Sequence, residues 1–261
     1  MSLLRVVLQC SRYGQNNMKT FSIIIPTYNE EDHLGALLQD IREQHLQPKE
    51  IIVADACSTD ATREIALSYG AQVVDGGLPG PGRNAGARAS SSDVFFFMDS
   101  DVRIFDKDFL EKVLTEFVER ELGCAATELE PMSTRADDQL GHWVYNRLLR
   151  RAERKTPYAA GSLIIATRQT HEAIHGFDEV VTLGEDSDYA ARAAKADSFG
   201  ILRSVKIPVS VRRLDRDGRW CTVARYMLAG VHMWFIGPVK NHAIKYEFGY
   251  DHMKKGGSSK S

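Results

Sequence analysis

The stretch Val94-Phe-Phe-Phe-Met-Asp-Ser-Asp101 decides how this chain folds. Its first five residues are all apolar, which is typical of a strand buried on both faces of a parallel sheet. Asp99 and Asp101 follow directly, at the point where such a strand would end. We therefore predict a central strand over Val94–Met98 that carries two carboxylates at its carboxyl end.

Toward the N-terminus, short apolar runs alternate with helical patterns. We expect Asn29 to cap the first helix, ahead of an acidic first turn. The further predicted elements are strands over Phe21–Pro26, Glu50–Ala54 and Ala71–Val74, a helix after Asp60 that runs through Tyr69, a loop over Gly76–Gly82, and an Ala-rich helix that ends at Ser90. This alternation predicts an α/β fold, with a mostly parallel central sheet and helices on both faces.

Toward the C-terminus the pattern is less regular, but neither an internal repeat nor a linker interrupts it. We therefore expect one continuous domain over residues 20–220, with one half over residues 20–101 and the other over residues 102–220. The predicted elements of the second half and beyond are strands over Gly123–Leu129, Tyr158–Ala166 and Ile207–Val211, and helices over Asp108–Glu119, Asp137–Arg154, Glu185–Ala196 and Arg219–Phe235.

The two ends of the chain differ from this domain. We expect an N-terminal extension over residues 1–19, a helical segment over residues 221–255 and a disordered tail over residues 256–261. The apolar stretch Met227–Val239 is shorter than the roughly 20 residues that a membrane-spanning helix needs. It reads either as a core helix or as a helix at a membrane surface, so peripheral membrane contact stays open.

Composition narrows the class of protein. Of the 261 residues, 43% are hydrophobic and 26% are charged, which is ordinary for a globular chain. The net charge of −2 provides no basic field for nucleic acid, so we expect no nucleic-acid partner. The four cysteines form no CxxC pair, which argues against a zinc site or a disulfide framework and fits a reducing, cytoplasmic compartment. The composition does not indicate an oligomeric state.

Polar side chains gather at the predicted strand ends. Ligands of open α/β sheets bind beyond the carboxyl ends of the strands. Four such ends carry polar signals, at Thr27-Tyr28-Asn29, at Asp55, in the loop Gly76–Gly82 and at Asp99-Ser100-Asp101. Their convergence indicates a binding site at this edge of the sheet.

The two carboxylates after the central strand indicate a metal. In extended chain, residues two apart point the same way, so Asp99 and Asp101 would aim at one spot. Two like charges so close repel unless a cation lies between them. Mg²⁺ or Mn²⁺ suits such a site, held by one or two carboxylates, water and substrate phosphates. The alternative is a solvated turn.

Two other strand ends could also meet a ligand. Because Ser58 and Asp60 can cap the next helix, Asp55 is expected to be free to accept a hydrogen bond from a nucleobase. The run Gly80-Pro-Gly-Arg-Asn-Ala85 formally matches GxGxxA, but it follows the third strand and contains a proline, which argues against a dinucleotide site. We interpret it as a flexible loop whose Arg83 could meet a phosphate or a base.

Charged clusters in the second half have two interpretations each. Acids in Glu185–Asp188 favour a helix start, yet three acids in four residues exceed what capping needs, and one could act as a general base. Arg212 and Arg213, with Arg216 and Arg219, form either a solvated basic turn or a binding group for an anionic leaving group, for which Arg213 is the first choice and Arg212 the second. We expect Leu214–Gly218 to form a loop that folds over a bound donor.

Taken together, the ordered motifs resemble the inverting family-2 glycosyltransferases, which have the GT-A fold. The resemblance covers roughly residues 20–220. The matching stretches are Phe21–Glu31, Ile51–Asp60, Gly82-Arg-Asn-Ala-Gly86, Phe97-Met-Asp-Ser-Asp101, Gly176-Phe-Asp-Glu179, Gly184-Glu-Asp186 and Arg212-Arg213 with Gly218. The chain departs from the family at Ala56-Cys57, where a second acid or a glycine pair is common.

The resemblance implies a donor, a cofactor and an acceptor. It implies transfer of a sugar from a nucleotide-diphosphate donor such as a UDP-sugar, with Mn²⁺ or Mg²⁺, to a hydroxyl of a carbohydrate or lipid-linked acceptor. The nucleotide-binding half would be residues 20–101 and the acceptor half residues 102–220. A membrane-associated position on the cytoplasmic face is compatible with a lipid-linked acceptor.

The resemblance also implies roles for single residues. Asp101 would bind metal and diphosphate, and Asp99 would bind ribose or metal. Asp186 would deprotonate the acceptor hydroxyl, with Glu185 as the competing assignment. The residues implied in nucleotide-sugar binding are Pro26, Tyr28, Asn29, Asp55, Arg83, Asp99, Ser100, Arg212 and Arg213.

Two other classes of protein are alternatives. A sugar-1-phosphate nucleotidyltransferase would carry a glycine-rich loop directly after the first strand, and Pro26-Thr-Tyr-Asn-Glu30 contains no glycine. A non-catalytic binding protein on the same fold would be marked by loss of the DxD or the Glu-Asp pair, and both are present.

Overall fold

The computed structural model describes residues 19–153, 157–219 and 239–240. The extension expected over residues 1–19 lies outside these ranges apart from Lys19, and the expected tail over residues 256–261 lies outside them entirely. Within the segment expected to be helical, residues 221–255, the described residues Val239 and Lys240 form a short strand.

The strands form two sheets. The strands are β1 (Phe21–Thr27), β2 (Glu50–Asp55), β3 (Gln72–Asp75), β4 (Val94–Met98), β5 (Cys124–Pro131), β6 (Leu163–Thr167), β7 (Val181–Leu183), β8 (Phe199–Val209) and β9 (Val239–Lys240). Seven of them form one sheet in the order β3-β2-β1-β4-β6-β5-β8, and β7 pairs with β9. The strand β6 runs antiparallel to its neighbours β4 and β5, and the other pairs of the large sheet are parallel. The prediction of a mostly parallel sheet is confirmed.

Helices cover both faces of the large sheet. The helices are α1 (Glu31–Arg42), α2 (Thr62–Ser68), α3 (Pro79–Ala89), α4 (Phe109–Glu119), α5 (Ala136–Ala152), α6 (Arg168–Ala173), α7 (Glu185–Ala196) and α8 (Arg212–Asp217). Among the described helices, none has the length and apolarity that a membrane span needs. The expected helix over Arg219–Phe235 lies outside the described residues except for Arg219.

Alternate residues of the central strands build two separate cores. In β1, Ile23 and Ile25 pack with the apolar side chains of α1 and α4, whereas Ile24 faces the other side. In β4, Phe95 and Phe97 likewise join the core formed with α3, α5 and α7. This alternation follows from the two-residue period of a strand and explains why Val94–Met98 is apolar throughout.

The register of the parallel strands brings their carboxyl ends to one edge. Thr27 at the end of β1 lies opposite Asp55 at the end of β2, and Asp55 lies opposite Asp75 at the end of β3. On the other side of β1, Ile24 lies opposite Phe97, one residue before β4 ends. The polar residues that follow these strands therefore share one edge of the sheet.

Several predicted boundaries are wrong. Asn29 does not cap α1, because it has a left-handed φ of 52° and the cap position falls on Glu30. The stretch read as the loop Gly76–Gly82 instead enters helix α3 at Pro79, a residue suited to the first turn because it lacks an N–H. The second half deviates further: β6 begins at Leu163 rather than Tyr158, β8 begins at Phe199 rather than Ile207, and α8 replaces the expected loop.

Gly86 allows α3 to lie directly on β1. A Cβ atom at this position would approach Cγ2 of Ile24 to 2.3 Å, which is far too close for any side chain. The close contact fixes the height of α3 above the sheet. It thereby fixes the position of Arg83 and Asn84, which lie less than one turn earlier on the same helix.

Candidate active site

The guanidinium of Arg83 is the centre of the candidate site, between the end of β4 and the start of α7. Its Nη2 donates to Oδ1 of Asp99 at 2.8 Å, and its Nη1 donates to Oε1 of Glu185 at 3.1 Å. The side chain is 1% exposed, and the ring of Phe177 lies 5.3 Å from its Cζ. Burial opposes the charged form, but the carboxylates outweigh it and raise the pKa of Arg83, so the arginine stays charged.

Gly161 shows how closely the charged groups meet. A Cβ atom on Gly161 would lie 2.8 Å from Nη2 of Arg83 and 3.5 Å from Oδ2 of both Asp99 and Asp186. The Gly161 carbonyl also accepts from Nη2 of Arg83 at 3.3 Å. Two carboxylate oxygens and a guanidinium thus converge on one point beside a residue without a side chain.

Helix α7 opens with the two neighbouring carboxylates of Glu185 and Asp186. Gly184 turns the chain into the helix with a left-handed φ of 79°, and Ser187 donates its N–H to Oδ1 of Asp186 at 2.7 Å. Burial, and then the charge of Glu185, raise the pKa of Asp186 to about 7, although Arg83 opposes the shift. A carboxyl group with a pKa in this range can accept a proton near neutral pH.

A second cluster lies where the turn after β4 meets α1 and α8. Nη2 of Arg212 lies 3.2 Å from Oε1 of Glu30 and 3.2 Å from Oδ2 of Asp101. Burial raises the pKa of Glu30 to about 7 and the nearby Asp101 adds to the shift, whereas Arg212 and a hydrogen bond from Ser100 oppose it. Ser100 is itself buried.

Sequence analysis missed Glu30 because an acidic residue at this place is expected in the first turn of a helix. Its neighbours gave the only signal that could have found it: it directly follows Thr27-Tyr28-Asn29, a stretch already assigned to the site. In the structure, the Glu30 N–H donates to Oγ1 of Thr62 at 2.8 Å, and its side chain meets Arg212, 182 residues along the chain.

The expectation that Asp99 and Asp101 aim at one spot rested on extended chain, and this premise is wrong. β4 ends at Met98, and Ser100 and Asp101 lie in a turn. The two carboxylates consequently have different cationic partners, Arg83 for Asp99 and Arg212 for Asp101.

Of the two interpretations of Arg212 and Arg213, the solvated turn does not fit the structure, because both residues lie in α8. The Arg212 side chain reaches back to the end of the sheet rather than into solvent. The side chain of Arg213 lies outside the part that the structure describes.

The donor atoms at this edge suit a hard divalent cation. Asp99 uses Oδ1 for Arg83, while its Oδ2 is turned to the space beside Gly161. Among the described residues, no three His, Cys, Asp or Glu side chains are grouped to hold a metal by themselves. The residues therefore fit a cation that takes one or two carboxylates and completes its shell with water and substrate phosphates, as Mg²⁺ does.

Asp55 is fully buried at the end of β2, and the expectation that it has no local partner is wrong. It accepts from the Ser58 N–H at 3.0 Å, from the Ser58 hydroxyl at 2.5 Å and from Nη1 of Arg63 at 3.1 Å. The Thr27 hydroxyl also donates to it, at 3.3 Å. Asp55 thus closes the turn after β2, and its contact with a nucleobase stays a prediction.

The loops after β1 and β2 are joined by Asn29. Its Oδ1 accepts from the Thr59 N–H at 2.8 Å, and its own N–H donates to the Ser58 hydroxyl at 2.9 Å. Pro26 lies in β1 opposite Ala54, and Tyr28 is half-buried directly after the strand. The residues expected to bind the nucleoside therefore share one rigid corner of the sheet edge.

Asn84, to which the sequence assigns no role of its own, holds the segment before α7 in place. Its Oδ1 accepts from the Phe177 N–H at 2.8 Å, and its Nδ2 donates to the Phe177 carbonyl at 2.9 Å and to Glu179 at 3.0 Å. Phe177 in turn stacks on Tyr189 with ring centroids 4.1 Å apart. These contacts tie α3 to α7, so Arg83 and Asp186 keep their relative positions.

Comparison with known proteins identifies the family. The model of glycosyl transferase family 2 matches residues 22–169. A 4,4'-diaponeurosporenoate glycosyltransferase of Staphylococcus aureus (strain bovine RF122 / ET3-1) is 35% identical over 109 residues, or 39% of this chain and 29% of that protein. The O-antigen chain rhamnosyltransferase WbaN of Salmonella anatum is 27% identical over 205 residues, or 69% of this chain and 62% of that protein. The chain thus spans less than two thirds of the length of either relative.

Solved structures share the fold. S. aureus TarS in complex with UDP-GlcNAc matches with a TM-score of 0.60 at 22% identity, over 73% of this chain and 58% of that one. The mannosyltransferase PcManGT from Pyrobaculum calidifontis, in complex with GDP-Man and Mn²⁺, matches with a TM-score of 0.61 at 22% identity, over 80% of this chain and 64% of that one. These likenesses confirm the expected GT-A architecture. Since the family model covers more than half of its residues, the chain belongs to glycosyl transferase family 2.

Proposed function

We propose that this chain transfers a sugar from a nucleotide-diphosphate donor to an acceptor hydroxyl, with inversion at the anomeric carbon and with a divalent cation. The observation that carries the proposal is the convergence of Asp99, Asp186 and Arg83 beside Gly161. This point lies at the carboxyl edge of the sheet, where α/β folds bind their ligands.

Asp186 is the proposed base. Its Oδ2 faces the point of convergence, and its raised pKa suits proton uptake from a hydroxyl near neutral pH. Glu185, the competing assignment, accepts from Arg83 at 3.1 Å and positions that arginine. As Asp186 removes the proton, the acceptor oxygen attacks the anomeric carbon, the bond from that carbon to the diphosphate oxygen breaks, and the electron pair leaves with the nucleoside diphosphate.

The leaving diphosphate gains negative charge in this step. A cation, Mn²⁺ or Mg²⁺, would be held by Asp101, with Asp99 as the other candidate ligand, together with water and diphosphate oxygens, and would neutralise that charge. Arg212, which lies 3.2 Å from Asp101, is placed to pair with the same group, so we prefer it to Arg213, the first choice from the sequence. Ser100 lies between Asp99 and Asp101 in the sequence and is buried. It would stabilise the turn that carries the two carboxylates.

The nucleoside is proposed to lie against Pro26, Tyr28, Asn29 and Asp55. Uracil is the preferred base, because two TarS structures are complexes with UDP-GlcNAc and with UDP, but the GDP-Man complex of PcManGT makes guanine the alternative. The acceptor is proposed to be a carbohydrate or a lipid-linked molecule, reached from the second half of the domain. A position at the cytoplasmic face of a membrane follows from the lipid-linked case.

A donor screen tests the proposal. The purified chain is incubated with UDP- and GDP-sugars in Mn²⁺, and slow release of nucleoside diphosphate is measured without acceptor. We expect hydrolysis of one donor class that is lost in D186N and retained in D32N, whose exposed aspartate lies on α1. Binding of a donor without any hydrolysis or transfer would favour a non-catalytic binding protein, and binding of none would overturn the proposal.

A further inference from the structure

Helix α5 packs on β5 with one side and leaves the opposite side in solvent. Asn146 bonds both the N–H and the carbonyl of Leu129 on β5, at 3.0 and 2.8 Å, and Leu149 is buried beside it. The outer side carries four large apolar residues with high exposed fractions: Leu140 (62%), Trp143 (62%), Val144 (42%) and Leu148 (58%).

These apolar residues form one continuous face. With 3.6 residues per turn, Leu140, Trp143, Val144, Arg147, Leu148 and Arg151 all fall within an arc of about 140°. We call these six residues the α5 outer face. Contiguous apolar surface with a polar rim marks an interaction site, because such surface is costly in water. Single exposed apolar residues, by contrast, are ordinary.

The charge on this face is positive. Arg147 and Arg151 are both exposed. The carboxylates around the helix have other partners: Glu128 pairs with Arg150, Glu153 with Arg120 and Arg203, and Asp137 with Arg135 and Arg219. The face therefore combines apolar side chains, one tryptophan and two arginines for which the described residues provide no carboxylate partner.

This combination selects an anionic bilayer among the possible partners. A tryptophan ring is favoured at the boundary between lipid headgroups and acyl chains. Arginine side chains place their charge among anionic headgroups while their aliphatic stems stay in apolar surroundings. A second copy of the same face would bring four arginines together, which like-charge repulsion disfavours.

Helix α5 is linked to the candidate active site through the segment that follows it. The ring of Tyr145 on α5 contacts that of Tyr158, with centroids 5.8 Å apart. The carbonyl of the next residue, Ala159, accepts from the hydroxyl of Ser187 at 3.4 Å. Ser187 directly follows Asp186. Two residues further, Gly161 adjoins Arg83. The segment from Tyr158 to Gly161 thus connects helix α5 with the carboxylate cluster.

We propose that the α5 outer face docks on an anionic lipid bilayer and so brings the site to an acceptor that is carried in the membrane. The docking itself rests on α5 alone. The acceptor class rests on the function proposed above, so the two need separate readouts.

Vesicle sedimentation tests the docking. The full chain is mixed with vesicles of phosphatidylcholine alone and of phosphatidylcholine with an equal amount of phosphatidylglycerol. We expect binding to the anionic vesicles, weakened at least about tenfold in R147Q/R151Q, since each basic residue near the surface adds to the attraction. The double variant W143S/L148S should also weaken it. The matched control is L67S, which removes an equally exposed leucine from α2.

Three outcomes would overturn the proposal. One is equal binding of the wild type and both double variants. Another is no vesicle binding together with a dimer that W143S/L148S dissolves, which would assign the face to a second copy. The third is no vesicle binding and a melting temperature lowered by W143S/L148S but not by L67S, which would mean that this chain covers the face itself.

Donor hydrolysis in the absence of vesicles is measured in parallel. If the wild type does not hydrolyse any donor, the proposed function is wrong, whereas the docking result still stands.

Discussion

Arg83 on α3 and Asp99 at the end of β4 form an ion pair of 2.8 Å in which the arginine is buried and the aspartate is partly exposed. The pair fixes one oxygen of Asp99 and leaves the other facing Gly161. Arg83 also holds Glu185, so a single buried cation sets the distance between the sheet edge and α7.

The first prediction concerns stability. Removing one partner of a buried ion pair typically costs about 3–5 kcal/mol, because the other charge is left uncompensated. Because Asp99 is partly exposed and solvent screens its charge, we expect R83M to lower the free energy of unfolding by about 2–3 kcal/mol in urea titrations. R88M is the matched control, since Arg88 lies on the same helix but is exposed and is 3.8 Å from Glu179. Equal stability of the two variants would contradict this role of Arg83.

The second prediction separates chemistry from binding at α7. D186N should leave donor affinity within about threefold and lower turnover by roughly 10²–10⁴, the usual contribution of a general base. E185Q should instead weaken the hold on Arg83 and lower stability. Steady-state kinetics and donor titration measure the two effects. If E185Q abolishes turnover while D186N does not, the base is Glu185.

The pH profile gives an independent check on Asp186. A base must be ionised to accept a proton, and the pKa of Asp186 is raised to about 7. Turnover should therefore rise with pH through about 7 rather than through the usual range of an aspartate near 4. The residual activity of D186N should lack this rise. A wild-type profile that is flat across this range would contradict the assignment.

The third prediction concerns Glu30. Its pKa is 4.5 in an unfolded chain and about 7 in the folded one, so between these values the unfolded state releases a proton that the folded state keeps. The free energy of unfolding should consequently fall as pH rises through this window. E30Q lacks the effect, so its stability relative to wild type should increase by up to about 3 kcal/mol from about pH 4 to about pH 8. E119Q, at an exposed site on α4, should show no such change.

Sequence analysis captured what depends on local pattern. The bounds of strand β4, Val94–Met98, were predicted correctly, because burial on both faces makes every residue of the strand apolar. The bounds of helix α7, Glu185–Ala196, were also correct, because acidic residues mark its first turn. The strand ends Thr27 and Asp55 were correctly expected to share one edge, since parallel strands have their carboxyl ends on the same side.

What it could not supply is the pairing of distant charges. The sequence pattern predicts a loop at Arg83, because two glycines and two prolines conceal the start of α3. Glu30 and Arg212 are 182 residues apart in sequence, and no periodicity connects them. The turn that sends Asp99 and Asp101 to different arginines is likewise set by tertiary contacts rather than by the alternation within β4.

The fourth prediction concerns the metal. D101N keeps the shape of the side chain but removes a charged oxygen ligand. We expect its affinity for UDP in Mn²⁺ to fall by about tenfold or more, with little change in chelator, where no cation contributes. Isothermal titration of wild type, D101N and the exposed control D32N measures this. Equal affinity of all three proteins in Mn²⁺ would contradict a role of Asp101 in cation binding.

The last prediction concerns Gly161. Gly161 is not one of the glycines with a left-handed φ, so its backbone conformation allows alanine. Only the lack of space for a Cβ atom opposes the substitution. Its Cβ would lie 2.8 Å from Nη2 of Arg83, and that group cannot retreat while Asp99 holds it. The guanidinium or the loop must therefore shift by a fraction of an ångström, next to the proposed base.

Such a displacement costs more in rate than in stability, because misplacing reacting groups by about 1 Å can cost roughly 10²-fold. We expect G161A to lower turnover by about tenfold or more while it remains folded. G141A is the control: nothing lies within 4 Å of its Cβ, and alanine within helix α5 should add about 0.5–1 kcal/mol of stability without affecting turnover. Donor hydrolysis and urea unfolding of both variants decide the question. If G161A turns over as fast as G141A, the space beside Gly161 is not where the reaction occurs.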